Sequence, residues 1–140
     1  MLFSLKQEAP VSVGGGMFTG FMGHASEIDA EEVREKYAPM LMRGELINQA
    51  YKIVRDMWIF TNCRLIIVNV QGMTGKKVEY HSIPYRNITH FSVESAGNFD
   101  LDAELNIWVN GMGTEAITQK FSTDTNIYKI QALLAAYVMG

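Results

Sequence analysis

Between Gly44 and Phe121 the chain is a succession of short β-type runs separated by turn residues, with no stretch long enough for a crossover helix. The clearest runs are Met57-Trp58-Ile59-Phe60-Thr61, Leu65 to Val70, Val78 to Ile83, Ile88 to Val93, Glu104 to Val109 and Thr114 to Phe121. Asn62-Cys63, Gly72 to Gly75, Pro84 and Asn110-Gly111 punctuate them. Asn-Gly is a strong hairpin signal because it tolerates positive φ at both central turn positions. Parallel strands need connections of a dozen or more residues, so these runs read as an antiparallel meander. Leu46, Ala50, Ile53 and Met57 also fit helical spacing, but the segment Leu46 to Val54 leads straight into an aromatic and β-branched run and is read as strand.

Helices are expected at both ends of this meander. Ser26-Glu27-Ile28-Asp29 opens the first, with Ser26 or Asp29 as cap and Glu31 and Glu32 in the first turn. Ala30, Val33 and Tyr37 give it a narrow apolar stripe, and Pro39 stops it near Ala38. Thr123-Asp124 caps the second, which runs to about Val138 with Ile127, Ile130, Leu134 and Tyr137 on one stripe. Residues 1–25, with Pro10, Gly14-Gly15-Gly16, Gly20 and Gly23, lack periodicity and read as a flexible arm; a start at Met17 is a second expectation for the chain. The domain is therefore expected over residues 26–140, with a short helix at 26–38, strands at 44–121 and a helix at 124–138.

A chain of 140 residues supports one hydrophobic core. Its net charge of −3 argues against a nucleic-acid partner, which wants a basic excess. The single cysteine, Cys63, forms no internal disulfide, no apolar run approaches the roughly 18 residues of a membrane span, and the first residues lack a secretory pattern. The expected location is the cytoplasm.

The sequence contains no GxGxxG, HExxH, CxxC or GxSxG motif. Gly75-Lys76-Lys77 has Val70 where a phosphate loop needs glycine and Lys77 where it needs Ser or Thr, so it reads as a basic hairpin tip. His81 and His90 sit in β-runs without a third ligand, so neither metal nor cofactor is expected. Cys63 is read as an incidental thiol. Asp100, Asp102 and Glu104 alternate along one strand face without the loop spacing of a calcium site, and read as a solvated face.

Two features point to binding instead. Lys129 is the only charge between residues 125 and 139, while Tyr128, Ala132, Leu133, Ala135, Ala136 and Val138 spread the apolar surface of the last helix beyond one stripe. A helix apolar over so much of its circumference has a second face to bury. Tyr128, Leu133, Ala136 and Tyr137, with Trp108 as an aromatic anchor facing away from Leu105, Ile107 and Val109, are the expected contacts with another copy or a partner. The second feature is charge asymmetry, net +4 over residues 46–86 and net −4 over residues 87–123, which suits head-to-tail association. The alternative is a peripheral membrane or anionic-ligand binder using Lys52, Arg55, Lys76, Lys77 and Arg86.

Long stretches also resemble a known family. Gly44-Glu45, Tyr51 to Asp56, Phe60-Thr61-Asn62-Cys63-Arg64-Leu65-Ile66, Gln71 to Tyr80, Ser82-Ile83-Pro84-Tyr85 and Phe91 to Leu105 are similar to the bacterial pleckstrin-homology (PH)-like domains. The likeness spans roughly residues 22–139. It implies a mainly β (α+β) fold, a seven-stranded, partly open antiparallel barrel capped by the C-terminal helix. It also implies no assigned activity and a tendency to form ring-like homo-oligomers. Eukaryotic relatives of the fold bind inositol phosphates through basic residues of the first hairpin; here that hairpin offers Lys52 and Arg55, with Asp56 beside them. The expected function is a non-catalytic scaffolding module, with itself and an unidentified protein as partners.

Overall fold

The computed structural model describes residues 23–95, 103–122 and 126–140. In chain order they form β1 (Gly23–Ile28), α1 (Ala30–Tyr37), β2 (Ile47–Ile53), β3 (Asp56–Thr61), β4 (Arg64–Gln71), β5 (Lys77–Pro84), β6 (Ile88–Ser95), β7 (Ala103–Val109), β8 (Ile117–Phe121) and α2 (Ile127–Met139). The strands make one sheet in the order β5-β4-β3-β2-β1-β8-β7-β6. The seven expected strands are all there, and β1 adds an eighth.

That eighth strand overturns part of the sequence reading. Ser26-Glu27-Ile28, expected to open a helix, and Gly23 to Ala25, expected to end the arm, are extended. β1 lies between the two halves of the sheet, antiparallel to β2 (Ser26 opposite Lys52, Ile28 opposite Ala50) and parallel to β8 (His24 opposite Lys120, Ala25 opposite Phe121). Backbone pairing on both sides outweighs the capping potential of Ser26. Of the two expected caps it is Asp29 that starts the helix, its carboxylate accepting a hydrogen bond from the Glu31 N–H at 3.0 Å. The arm up to residue 22, Met17 included, and the Thr123-Asp124 cap lie outside the described residues.

Alternation along the strands builds two apolar layers. Inward residues Tyr51, Trp58, Phe60, Leu65, Ile83, Leu105, Ile107 and Phe121 meet Ile127, Ile130, Leu133 and Leu134 of α2 in the main core. On the outer side of β2 to β4, Ala50, Ile59, Ile66 and Val68 are covered by Val33 and Tyr37 of α1, with Ala30, the third residue of its expected stripe, partly buried against them. The outer face of β6 to β8 has no such cover among the described elements. It carries cross-strand polar pairs: Asn106 accepts from the Thr118 hydroxyl at 2.7 Å and donates to Ser92 and Glu94 at 3.3 Å each.

β5 and β6 are joined by a 3₁₀ turn at Tyr85–Asn87 yet form the two outer strands of the sheet. The barrel is therefore partly open along this seam, and α2 packs against β6 and the Tyr85–Asn87 turn. Asn110-Gly111 does begin the β7–β8 connection, with Gly111 at φ +90°, but β8 starts at Ile117 rather than Thr114.

Candidate functional site

The face of α2 turned away from the core is apolar. Tyr128 is 70% exposed and Met139 72% exposed, and Ala132 and Ala136 are exposed between them. Ala135 is half-buried beside them. Two of the expected contact residues are used inside the chain instead. Leu133 belongs to the main core. The Tyr137 ring stacks on Tyr85 with centroids 5.0 Å apart and planes 8° from parallel, and its hydroxyl accepts from Asn48 Nδ2 at 2.8 Å. Tyr128 and Ala136 stay on the outward face.

Trp108 does face away from Leu105, Ile107 and Val109, onto the outer side of β7. One face of its ring is occupied by His90, with centroids 4.3 Å apart and planes 13° from parallel. The Thr89 hydroxyl holds this corner, donating to the Trp108 carbonyl at 3.1 Å. Trp108 is thus a half-buried residue of the outer sheet face, on the other side of β7 from α2, and the expected contact residues do not form one patch.

The basic residues divide as well. The β2–β3 and β4–β5 hairpin tips meet at one end of the sheet. There Arg55 donates from Nη1 to the Gly72 carbonyl at 2.8 Å and from Nη2 to the Val70 carbonyl at 3.4 Å. Asp56 accepts from the Val70 N–H at 2.9 Å. Lys76 and Lys77 are exposed beside this clamp. Lys52, half-buried, has its ammonium pulled below the usual lysine value by burial first and Lys36 second, against an opposing pull from Asp56. Arg86 lies beyond the far end of β5, roughly 25 Å away at ordinary strand rise, so it is not part of this cluster. Strand length separates what sequence proximity had grouped.

The tip is strained. Val54 has φ +47°, a conformation that a β-branched side chain rarely adopts. Val54→Gly is expected to raise stability by about 1 kcal/mol, relief of strain exceeding the entropy glycine loses on folding. Urea unfolding of the two proteins measures it.

His81 and His90 fall on the two outer strands, which do not pair with each other. Among the described residues no group of three His, Cys, Asp or Glu side chains is arranged to hold a metal ion. Cys63 is half-buried in the β3–β4 turn, its thiol 3.5 Å from Asn62 Oδ1. Glu104 sits opposite Glu94 and Lys120 on the outer sheet face, whereas Asp100 and Asp102 lie outside the described residues.

One cluster had no signal in the sequence. The side chain of Glu45 is fully buried and receives Arg64 Nε at 2.9 Å and Nη2 at 3.0 Å, the Thr61 hydroxyl at 2.7 Å and the Met42 N–H at 2.9 Å. Arg64 also donates to the Met40 carbonyl at 2.7 Å and the Ser82 hydroxyl at 2.8 Å. The network ties the α1–β2 connection to the β3–β4 hairpin and to β5. It organises the fold rather than offering a site, since both Glu45 oxygens and all three Arg64 nitrogens already have partners within the chain.

A barrel antiparallel except where β1 meets β8, left open at one seam and capped by a C-terminal helix, is close to the architecture expected from the sequence likeness, and comparison with known proteins agrees. Residues 16–138 match the family described as bacterial PH domain. The chain belongs to this family. A bacterial PH domain of known structure, a DUF1696-family protein from Shewanella loihica with a pleckstrin-homology domain, superposes with a TM-score of 0.75 at 42% identity, covering 82% of this chain and 97% of that one. A pleckstrin homology domain from Shewanella amazonensis gives 0.66 at 46% identity, covering 85% and 95%. The uncharacterized protein YjqA of Bacillus subtilis is 48% identical over 124 residues, 89% of this chain and 99% of that protein. YozO of the same organism, also uncharacterized, is 32% identical over 104 residues, 74% and 88% of the two chains. No helix of the described residues is long and apolar enough to cross a membrane.

Proposed function

We propose that this bacterial PH domain is a non-catalytic, cytoplasmic binding module that works as a homo-oligomer, with the outward face of α2 at its self-contact. The observation that carries this reading is the exposed apolar stripe of Tyr128, Ala132, Ala136 and Met139 on a helix whose opposite face is buried in its own core. Water contact with such a stripe is unfavourable, and its burial against another surface stabilises association. The opposite net charges of the stretches 46–86 and 87–123 support further contacts between copies, and the strands β2 to β5 and β6 to β8 drawn from them lie on either side of β1. An assembly multiplies any weak site it displays, so a partner protein is held by avidity rather than by one strong pocket.

The test is Tyr128→Glu. The side chain is exposed, so the fold tolerates the change, but a carboxylate at the contact loses its hydration on association. Sedimentation velocity is expected to show the wild-type assembly and a substantial shift toward monomer for the variant. An unchanged profile places the contact elsewhere.

The hairpin end supports a second reading, binding of an anionic headgroup by Lys52, Lys76 and Lys77. Arg55 already spends two donor groups on carbonyls, which leaves a modest cluster. Cosedimentation with anionic vesicles that fades as salt rises favours this reading; none at low salt removes it.

A further inference from the structure

The two outer strands of the sheet are not equally protected. β6 has a register shift between Ile88 and His90, and α2 packs against it. β5 is more open. Its register with β4 is unbroken from Arg64 opposite Pro84 to Gln71 opposite Lys77, and it pairs with a strand on that side only. Every second residue of β5 therefore turns its N–H and C=O away from β4. Proline, which would remove a donor, falls only at the last position. An edge so long and regular is a template for one more strand.

The side chains along this edge restrict which strand fits. Lys76 and Lys77 are exposed at one end of β5, and Arg86 is exposed just past the other, roughly 25 Å away at ordinary strand rise. None of the three has an ion-pair partner among the described residues. Glu79 is the only carboxylate between them. In the middle Tyr80 is 49% exposed, its ring edge-on to Tyr37 with centroids 6.3 Å apart.

We infer that β5 accepts an extended segment of a partner protein as a ninth strand, one that carries carboxylates at both ends and β-branched residues between. Main-chain hydrogen bonds supply the contact, and a β-branched residue across from Tyr80 adds a cross-strand pair. The two separated groups of cations favour acidic ends and repel basic ones. Arg86, too far from the hairpin tips to share an anion with them, has a use at the far end of such a strand. The inference rests on the binding-module reading above but makes no use of the α2 self-contact. A monomeric chain that binds the strand removes the self-contact alone.

The probe is a short fluorescent peptide of alternating Thr and Val with paired Asp at each end, titrated into the full chain. Anisotropy is expected to report binding that weakens as salt rises. Hydrogen exchange is expected to slow at alternate amides of β5. N-methylation of alternate peptide nitrogens keeps every charge but removes backbone donors, and is expected to abolish binding. Combining Lys76→Glu, Lys77→Glu and Arg86→Glu, all at exposed positions, is expected to weaken the Asp-ended peptide about tenfold and to confer binding of a Lys-ended one. Loss of the first peptide without gain of the second overturns the role of the cations. Undiminished binding of the N-methylated peptide overturns the strand pairing in favour of a general anion site. The inference also fails if the parent peptide does not bind, or if the outward β5 amides already exchange slowly in the free protein, the mark of an edge covered by a second copy.

Discussion

Glu45→Ala is expected to destabilise the domain by about 3 kcal/mol or more, the usual range for removing one partner of a buried ion pair. The carboxylate leaves four donated hydrogen bonds behind, from Arg64 Nε and Nη2, the Thr61 hydroxyl and the Met42 N–H. Arg64, 20% exposed at its side chain, then keeps a charge with little water around it and only neutral acceptors, the Met40 carbonyl and the Ser82 hydroxyl. Denaturant unfolding measures the loss. Arg64→Ala exposes the mirror defect, a buried carboxylate without its cation.

The same carboxyl sets a pH dependence. Burial works to raise its pKa, but hydrogen bonds from Arg64, Met42 and Thr61 outweigh burial and hold it below the ordinary value of 4.5. A depressed folded value means that its contribution is complete above the unfolded value near 4.5 and disappears as pH falls through the folded one. Wild type and Glu45→Ala are therefore expected to differ most near neutrality and to converge in acid. Glu27 and Asp56 act in the opposite direction. Burial raises both carboxyls, so each favours the folded state increasingly as pH drops through its raised value.

Leu134→Ala is the second large effect, expected at about 3 kcal/mol within the 2–5 kcal/mol range for buried leucines. Leu134 is fully buried among the residues that fasten α2 to the barrel. Its loss leaves a cavity in a core that is stiffened by packed rings, Trp58 and Phe121 among them edge-to-face at 6.4 Å and 89°, and that therefore collapses poorly. Ala132→Ser, two residues away on the outward face, is expected to change stability by less than about 0.5 kcal/mol. The contrast, read by urea unfolding, separates the face of α2 that builds the fold from the face available for association.

Where the sequence was legible, a local rule governed the outcome. Strands β2 to β8 could be read because a two-residue period and turn residues mark them independently of what they pair with. β1 could not. Ser26 looks like a helix cap, and only the presence of β2 on one side and β8 on the other makes extension the better use of its backbone. The inner stripe of α2 was readable from Ile127, Ile130 and Leu134, but an apolar helix does not show how wide its buried sector is. Leu133 was assigned outward for that reason, and Tyr137 was read both on the core stripe and as an outer contact; the Tyr85 ring that takes Tyr137 is brought in by the β5–β6 turn. Glu45 and Arg64 stand 19 residues apart and carry no spacing rule, so their pairing exists only in the fold.

Absolute mass by size-exclusion chromatography with light scattering, on residues 1–140 over a range of concentrations, tests the central claim most directly. A mass at a whole multiple of 15.7 kDa, reduced by Tyr128→Glu, is the predicted result. A mass of 15.7 kDa for the wild-type chain at every concentration contradicts the account and leaves the outward face of α2 without a second copy to cover it.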